Sequence, residues 1–335
     1  MGDSAGVIIV RAPNWLGDTV MALPALRALR GGQPEARISI VGPWAPLLGG
    51  QGVGDILLPY PSGFRARRRF ARGLRSEGSD LVVLLTNSFE SALAAWGWGA
   101  RRRLGFDADG RGPLLTDAVP LPTPRQHQID EYGALLAFVG IAVTETAPVW
   151  KLDENRESDE EVTALLAESG VRPGRRVVGL HLGAAFGSSK LWPADFFGRL
   201  AAGLLEDGAQ PVLMGIPADD RIATAVGRSA GRPIPSLVGR DRPALLPRLL
   251  ARLDCLVSGD TGVAHLAAAL GVATVTLFGP TDKRLTAPRS ASAHVLDREA
   301  PCAPCFLASC PIDHVCLRTI TPDEVEARVR SAIRA

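Results

Sequence analysis

The chain is predicted to be an α/β protein built from two Rossmann-like, doubly wound halves, and three observations predict it. Short apolar, β-branched runs alternate with helical stretches along most of its length. A polar, acidic segment around 145–165 separates one such series from a second. Loops rich in Gly, Asp, Ser and Asn follow the strands, and in doubly wound folds such loops bind ligands.

In the first series, 7–10 (VIIV) reads as a buried parallel strand, because apolar residues run without alternation. Residues 19–31 read as a helix closed by Gly31 and Gly32. Strands are predicted at 38–41, 55–58 and 80–85. The second series has strands at 177–182, 210–214, 254–258 and 272–278. Its helices begin near Pro193, Asp219 and Val263, and a last one, 321–334, opens on a Thr-Pro cap signal. Domains are set at 1–160 and 161–335, with a ligand cleft expected between them.

Composition narrows the function. With 335 residues, 46% hydrophobic and 21% charged, the chain is neither disordered, collagen-like nor coiled coil. Its 37 basic and 35 acidic residues leave a net charge of +2, which speaks against bulk nucleic-acid binding. No apolar run approaches the roughly 20 residues of a membrane span, and the first residues lack the pattern of a signal peptide. A cytoplasmic location is therefore expected, where cysteines stay reduced or bind metal. Only Lys151, Lys190 and Lys283 are lysines among the 37 basic residues, so each stands out against an arginine-rich background.

Three loops carry candidate chemistry. In the first, Asn14 to Asp18, Asp18 either caps the following helix or presents a carboxylate that takes a proton from an alcohol. The second, GAAFGSSKLWP at 183–193, is either a connector or an anion site offering Ser188, Ser189 and Lys190. In the third, GDTG at 259–262 opens a helix, and the amides of Thr261, Gly262 and Val263 with the helix dipole suit an anion. Asp260 is an N-cap or holds neighbouring loops, and His265 reads as a buried histidine. Neither G-x-x-x-x-G-K-[ST] nor an N-terminal G-x-G-x-x-G is present.

Taken in order, these segments resemble the heptosyltransferases of glycosyltransferase family 9. The resemblance runs through RAPNWLGD at 11–18, TNSFESAL at 86–93, GAAFGSSKLWP, GDTGVAHLAAAL at 259–270, FGPTD at 278–282 and the Cys-rich stretch before Thr321. The TNSF and A-x-F-G-x-x-K-x-W-P forms resemble the heptosyltransferase II branch, which adds the second core heptose. The resemblance implies a GT-B fold whose last helix, 321–334, packs back on the first domain, and an inverting transfer of heptose from ADP-L-glycero-β-D-manno-heptose to the lipopolysaccharide inner core, with no catalytic metal or other cofactor. Asp18 stands at the family's general base, useful through placement because an ordinary aspartate titrates near ~3.9. Lys190 matches the lysine that neutralises the departing ADP, and Thr261, Gly262 and Val263 match the pyrophosphate turn. Asp260 matches the acid before that turn, while Ser188 and Ser189 occupy variable positions. Whether Asp219, Asp220 or neither meets the ribose stays open.

On the acceptor side the candidates are Asn14, Asn87, Arg67, Arg68 and Arg69. FRARRRFARGLR at 64–75 carries six arginines and no acid. It is a solvated helix face, or it meets the phosphates and carboxylates of a lipid A–Kdo–heptose acceptor, or the anionic inner-membrane surface that carries it. The run at 101–103 is a second candidate. Two alternatives remain: a family 9 enzyme for another sugar or glycan, and a non-catalytic nucleotide-sugar-binding protein, against which intact Asp18 and Lys190 speak. Cys302, Cys305, Cys310 and Cys316 have ligand-like spacing for structural Zn²⁺ or an iron–sulfur cluster; the other reading is reduced thiols packing a Pro-rich loop.

Overall fold

The structure, a computed structural model, describes residues 6–240 and 242–333. It divides into two units, Met1–Pro148 and Val149–Ala335. The boundary falls inside the polar segment but before residue 160, because the helix starting at Arg156 buries Val162 in the second unit.

The first unit contains β1 (Val7–Arg11), α1 (Leu16–Met21), α2 (Leu23–Gly32), β2 (Arg37–Val41), β3 (Ile56–Leu58), α3 (Phe64–Glu77), β4 (Leu81–Leu84), α4 (Phe89–Gly97), β5 (Arg102–Asp107), β6 (Asp117–Pro120) and α5 (Gln128–Ala137). Its parallel sheet has the order β3-β2-β1-β4-β5-β6. The chain winds outward from β1 to β3 and returns to β4, so the winding reverses between β1 and β4, where Arg11 lies opposite Leu84. Ligands bind at such a reversal, beyond the carboxyl ends of the strands. Here those ends lead into Asn14 and Asp18 on one side and Asn87 on the other. Leu74 of α3 shares a core with Ala92 and Ala95 of α4 and with Val82 and Leu84 of the sheet. Fully buried Trp98 closes it, edge-on to Tyr60 and Phe70. The helix expected over 19–31 is two helices. Pro24 in the first turn of α2 lacks the N–H that a continuous helix needs there. Sequence reasoning missed β5 and β6, whose charged ends, Arg102, Asp107 and Asp117, disguise short buried centres.

The second unit contains α6 (Arg156–Glu168), β7 (Val177–His181), α7 (Ala194–Glu206), β8 (Gln210–Met214), α8 (Asp220–Ser229), α9 (Leu246–Leu250), β9 (Cys255–Gly259), α10 (Gly262–Ala269), β10 (Ala273–Phe278), α11 (Lys283–Thr286), β11 (Ala293–Asp297), α12 (Val315–Arg318) and α13 (Pro322–Ala332). The order is β11-β10-β9-β7-β8, again parallel, with reversal between β7 and β9. His181 pairs there with Ser258, which brings the loops carrying Lys190 and Asp260 side by side. Thr321 caps α13 by accepting from the Glu324 amide. The apolar stripe of α13, Val325 and Val329, is buried in the second unit's core with Phe197 and Leu200 of α7. Arg334, the end of the expected helix, lies outside the described residues. Among the described residues no helix is long and apolar enough to cross a membrane.

Candidate active site

In the second unit, the loop after β7 is anchored at its far end by Trp192. That indole is buried, donates to the Ile320 carbonyl at 3.1 Å and meets Phe197 edge-on at 4.9 Å. Anchoring sets Lys190 just before the indole, against the loop after β9. A side chain at Gly259 would lie 2.9 Å from the Lys190 carbonyl oxygen, so glycine lets the two loops touch. Lys190 Nζ donates to Asp260 Oδ2 at 2.5 Å and to the Asp260 carbonyl oxygen at 3.1 Å. Both side chains are largely buried, at 12% and 7% exposure. Asp260 Oδ2 also accepts from Thr281 Oγ1 at 2.7 Å, and His265 Nε2 lies 3.9 Å from Oδ1.

Asp260 therefore does not cap α10; it gathers Lys190 and Thr281. Nor does Thr261 cap the helix through its side chain, because its Oγ1 is shared with Ser258 at 2.8 Å. The α10 start stays half-exposed at Thr261, Gly262 and Val263. Its first amides lie beyond the reach of intrahelical acceptors, so they suit an anion beside the ammonium of Lys190. Burial holds His181 down at about 4, so it is neutral near pH 7 beside Ser258 Oγ. The two serines differ from each other: Ser188 is exposed, while Ser189 is buried with its hydroxyl lacking a hydrogen-bond partner. Asp219 is buried and its carboxylate accepts from the Ile216 amide at 2.9 Å, whereas Asp220 is exposed.

In the first unit, Asp18 lies in the first turn of α1, half-buried, while Trp15 holds the cap position. The capping alternative is thus displaced: Asp18 is inside the helix, where the dipole favours a carboxylate. Buried Tyr132 lies near it; burial first, and then the Asp18 charge, raise the phenol well above its usual range. Asn14 is exposed, and its Oδ1 accepts from the Arg11 guanidinium at 2.6 Å. Arg11 is almost wholly buried, stacks 4.2 Å over Tyr60, and burial lowers its pKa. Asn87 is positioned in the same way by fully buried Arg111, 3.3 Å away. Arg111 also donates to the carbonyls of Thr86 and Phe106 and to Ser91 Oγ, and burial pushes it down to about 10. Sequence reasoning missed both arginines. For Arg11 a signal existed, a lone cation ending an apolar strand; for Arg111 there was none.

The arginine-rich segment is helix α3, and its arginines divide. Arg67 is a structural partner: it meets Glu90 at 3.0 Å and stacks on Tyr60, whose hydroxyl, burial and Glu90 acting together, is pushed up to about 12. Arg65, Arg68, Arg69 and Arg72 form an exposed stripe with no ion-pair partner among the described residues. On neighbouring α4, Phe89, Leu93 and Trp96 form an exposed apolar stripe at i, i+4 and i+7. The second arginine run is used within the sheet. Arg101 meets Asp80, Arg102 meets Asp117, and Arg103 donates to the carbonyls of Leu114 and Ala100.

Of the four C-terminal cysteines, Cys316 has its thiol pushed up, by burial first and then by the neighbouring Cys302 and Cys310. Cys302 is exposed, Cys305 and Cys310 are half-buried, and Cys316 is buried. Among the described residues no group of three or more His, Cys, Asp or Glu is placed to hold a metal ion. Within this loop Phe306, Asp313 and His314 adopt left-handed backbone, and Cys316 packs against Gly279. Cys255 is a core residue of β9, as expected.

The family description "Glycosyltransferase family 9 (heptosyltransferase)" matches residues 67–316. Lipopolysaccharide heptosyltransferase 2 of Salmonella typhimurium is 30% identical over 310 residues, covering 86% of this chain and 87% of that protein. The solved structure of Escherichia coli ADP-heptose lps heptosyltransferase II aligns with a TM-score of 0.79 at 24% identity, over 98% of each chain. A family 9 glycosyl transferase from Veillonella parvula aligns at 0.82 with 21% identity, over 99% and 98%. The fold shared with these structures is the GT-B arrangement of two parallel-sheet units.

Proposed function

The chain belongs to glycosyltransferase family 9 and is a glycosyltransferase, and we propose that it transfers heptose from ADP-heptose to a heptose of the lipopolysaccharide inner core. The observation that carries the reading is the buried Lys190–Asp260 pair at the open first turn of α10. It supplies a cation and unpaired amides where a nucleoside diphosphate would leave. Heptose as the sugar, and the second heptose as the product, rest on the similarity to the Salmonella enzyme.

In this mechanism the acceptor hydroxyl oxygen bonds to the anomeric carbon on the face opposite ADP. The bond from that carbon to the diphosphate oxygen breaks. Asp18 takes the hydroxyl proton, and Lys190 with the α10 amides receives the charge that grows on ADP. A fixed ammonium and oriented amides serve the diphosphate without a divalent ion. Transfer is therefore expected to persist in excess EDTA; activity lost with EDTA and restored by Mg²⁺ would contradict this. The deciding assay offers ADP-heptose to acceptors bearing zero, one or two core heptoses, with products read by mass. Addition to the one-heptose acceptor is expected. No heptose transfer to any of them overturns the substrate assignment.

The lipid-anchored acceptor places this reaction at the cytoplasmic face of the inner membrane. The unpaired stripe Arg65, Arg68, Arg69 and Arg72 complements its phosphates and carboxylates, and the α4 stripe of Phe89, Leu93 and Trp96 suits an apolar–polar boundary. Arg68→Gln with Arg69→Gln is expected to raise the acceptor KM about tenfold, since each lost contact to a charged group is worth roughly 1.5–3 kcal/mol before screening by water and salt. ADP affinity by calorimetry should stay unchanged. An unaltered acceptor KM removes α3 from the acceptor site.

A further inference from the structure

The loop 302–316 has no part in the mechanism above, yet it grips both segments that build the Lys190–Asp260 site. On one side, the Ser189 amide donates to the Ala308 carbonyl at 3.1 Å, and His314 Nε2 lies 2.9 Å from the Ser188 carbonyl oxygen. Gly187, at φ +150°, is pressed so close that a Cβ would lie 2.1 Å from the Ala308 oxygen. These contacts fall on the three residues before Lys190. On the other side, the amides of Cys305 and Phe306 donate to the Pro280 carbonyl at 3.0 and 2.8 Å. The next residue, Thr281, is the one that donates to Asp260.

Among the described residues His314 is the only side chain of the loop that hydrogen-bonds the Lys190 segment, and its backbone is unusual. Asp313 and His314 are consecutive non-glycine residues at φ 60° and 57°. Such backbone costs free energy and persists only where surrounding contacts over-determine it. Here the His314 amide donates to Cys310 Sγ at 3.2 Å, and its carbonyl accepts from Leu317 and Arg318 at 2.9 Å each. The cysteine serves as an acceptor that shapes the turn. The turn in turn aims the imidazole at Ser188. A carbonyl only accepts, so Nε2 carries the hydrogen and donates.

We propose that His314 is a positioning residue for the donor diphosphate: its hydrogen bond to Ser188 fixes the 187–190 turn and thereby the reach of Lys190 toward the leaving phosphates. The inference rests on the diphosphate role of Lys190 proposed above. Small displacements of a group that stabilises the transition state cost rate, with about a hundredfold lost per ångström in sensitive cases.

The test compares His314→Phe, which fills the space without a donor, with His314→Gln, whose amide nitrogen can reach the same carbonyl. Steady-state kinetics with both substrates, ADP calorimetry and thermal melts are measured, with Lys190→Met alongside. For His314→Phe, kcat is expected to fall about ten- to a hundredfold with acceptor KM unchanged. His314→Gln should recover most of that loss at a melting temperature matching His314→Phe, which separates positioning from folding. Parental kinetics in His314→Phe, or equal loss in both variants, overturn the proposal. If Lys190→Met turns over normally, the diphosphate reading itself fails and the positioning role falls with it. If Lys190→Met is inactive and His314→Phe is not, only the positioning role falls.

Discussion

Asp18→Asn is expected to lower kcat by about 10³-fold or more while ADP affinity stays within twofold of the parent. A positioned acid or base contributes roughly 10²–10⁴ to a rate, and asparagine keeps the size of the side chain while removing its proton affinity. Two features of the first unit make this a sharp test. Asp18 lies in the first turn of α1, where its charge makes a favourable dipole contact, typically 0.3–1 kcal/mol, and asparagine keeps an oxygen that accepts hydrogen bonds, so the fold should survive. The nearby Tyr132 phenol is buried and held well above its ordinary range, so it stays protonated and cannot substitute as a base near pH 7. Rapid-mix single-turnover measurements separate chemistry from product release. Parental single-turnover rates in Asp18→Asn would show that the proton leaves to water or to another group, and Asp18 would then be a helix-terminus residue.

How much of this was legible beforehand depended on whether a residue's role lay in its own loop or in a distant contact. Strands 210–214 and 272–278, the opening of α13 at Thr321 and the anion-suited start of α10 follow from local patterns, and the structure has them within a residue or two. Lys190 was visible because lysine is rare in this chain, and Asp260 because it sits in GDTG. What could not be read was the bond between them, which joins residues 70 positions apart across the reversal of the second sheet. Arg111 was hidden for the same reason: only the folded register of β4 and β5 brings the Thr86 and Phe106 carbonyls around one guanidinium. The arginine count of 64–75 was plain, but its division was not. Arg67 is withdrawn by Glu90 and Tyr60 from a neighbouring helix and loop, and only its helical spacing from Arg65, Arg68, Arg69 and Arg72 hints that it points elsewhere. Likewise β5 and β6 escaped because charged residues at strand ends outweigh a short buried centre in any local reading.

The second large effect concerns Lys190, where structural and chemical roles must be pulled apart. Lys190→Met is expected to lower kcat by about 10²–10³-fold, the range for removing one preorganised group that receives transition-state charge. The same change leaves Asp260 buried without its cation, and breaking a buried pair by removing one partner costs roughly 3–5 kcal/mol. The variant should therefore also melt several degrees lower. Lost activity alone would then be ambiguous, because a loosened loop and a missing charge both slow transfer. Adding Asp260→Asn resolves it. The double variant has no uncompensated charge, and the asparagine can still accept from Thr281, so its melting temperature should return most of the way to the parent. Its kcat should not, because no ammonium is restored beside the α10 amides. If activity returned together with stability, Lys190 would be a structural partner of Asp260, and charge on the departing diphosphate would have to be met by the helix amides alone. If stability returns without activity, the ammonium acts on the leaving group itself. Lys190→Arg then provides the finer measure. It keeps the charge but replaces a compact ammonium by a planar fork that does not fit the 2.5 Å contact to Asp260 Oδ2 together with the carbonyl at 3.1 Å. An intermediate rate, above Lys190→Met and below the parent, is expected from charge retained at a displaced position.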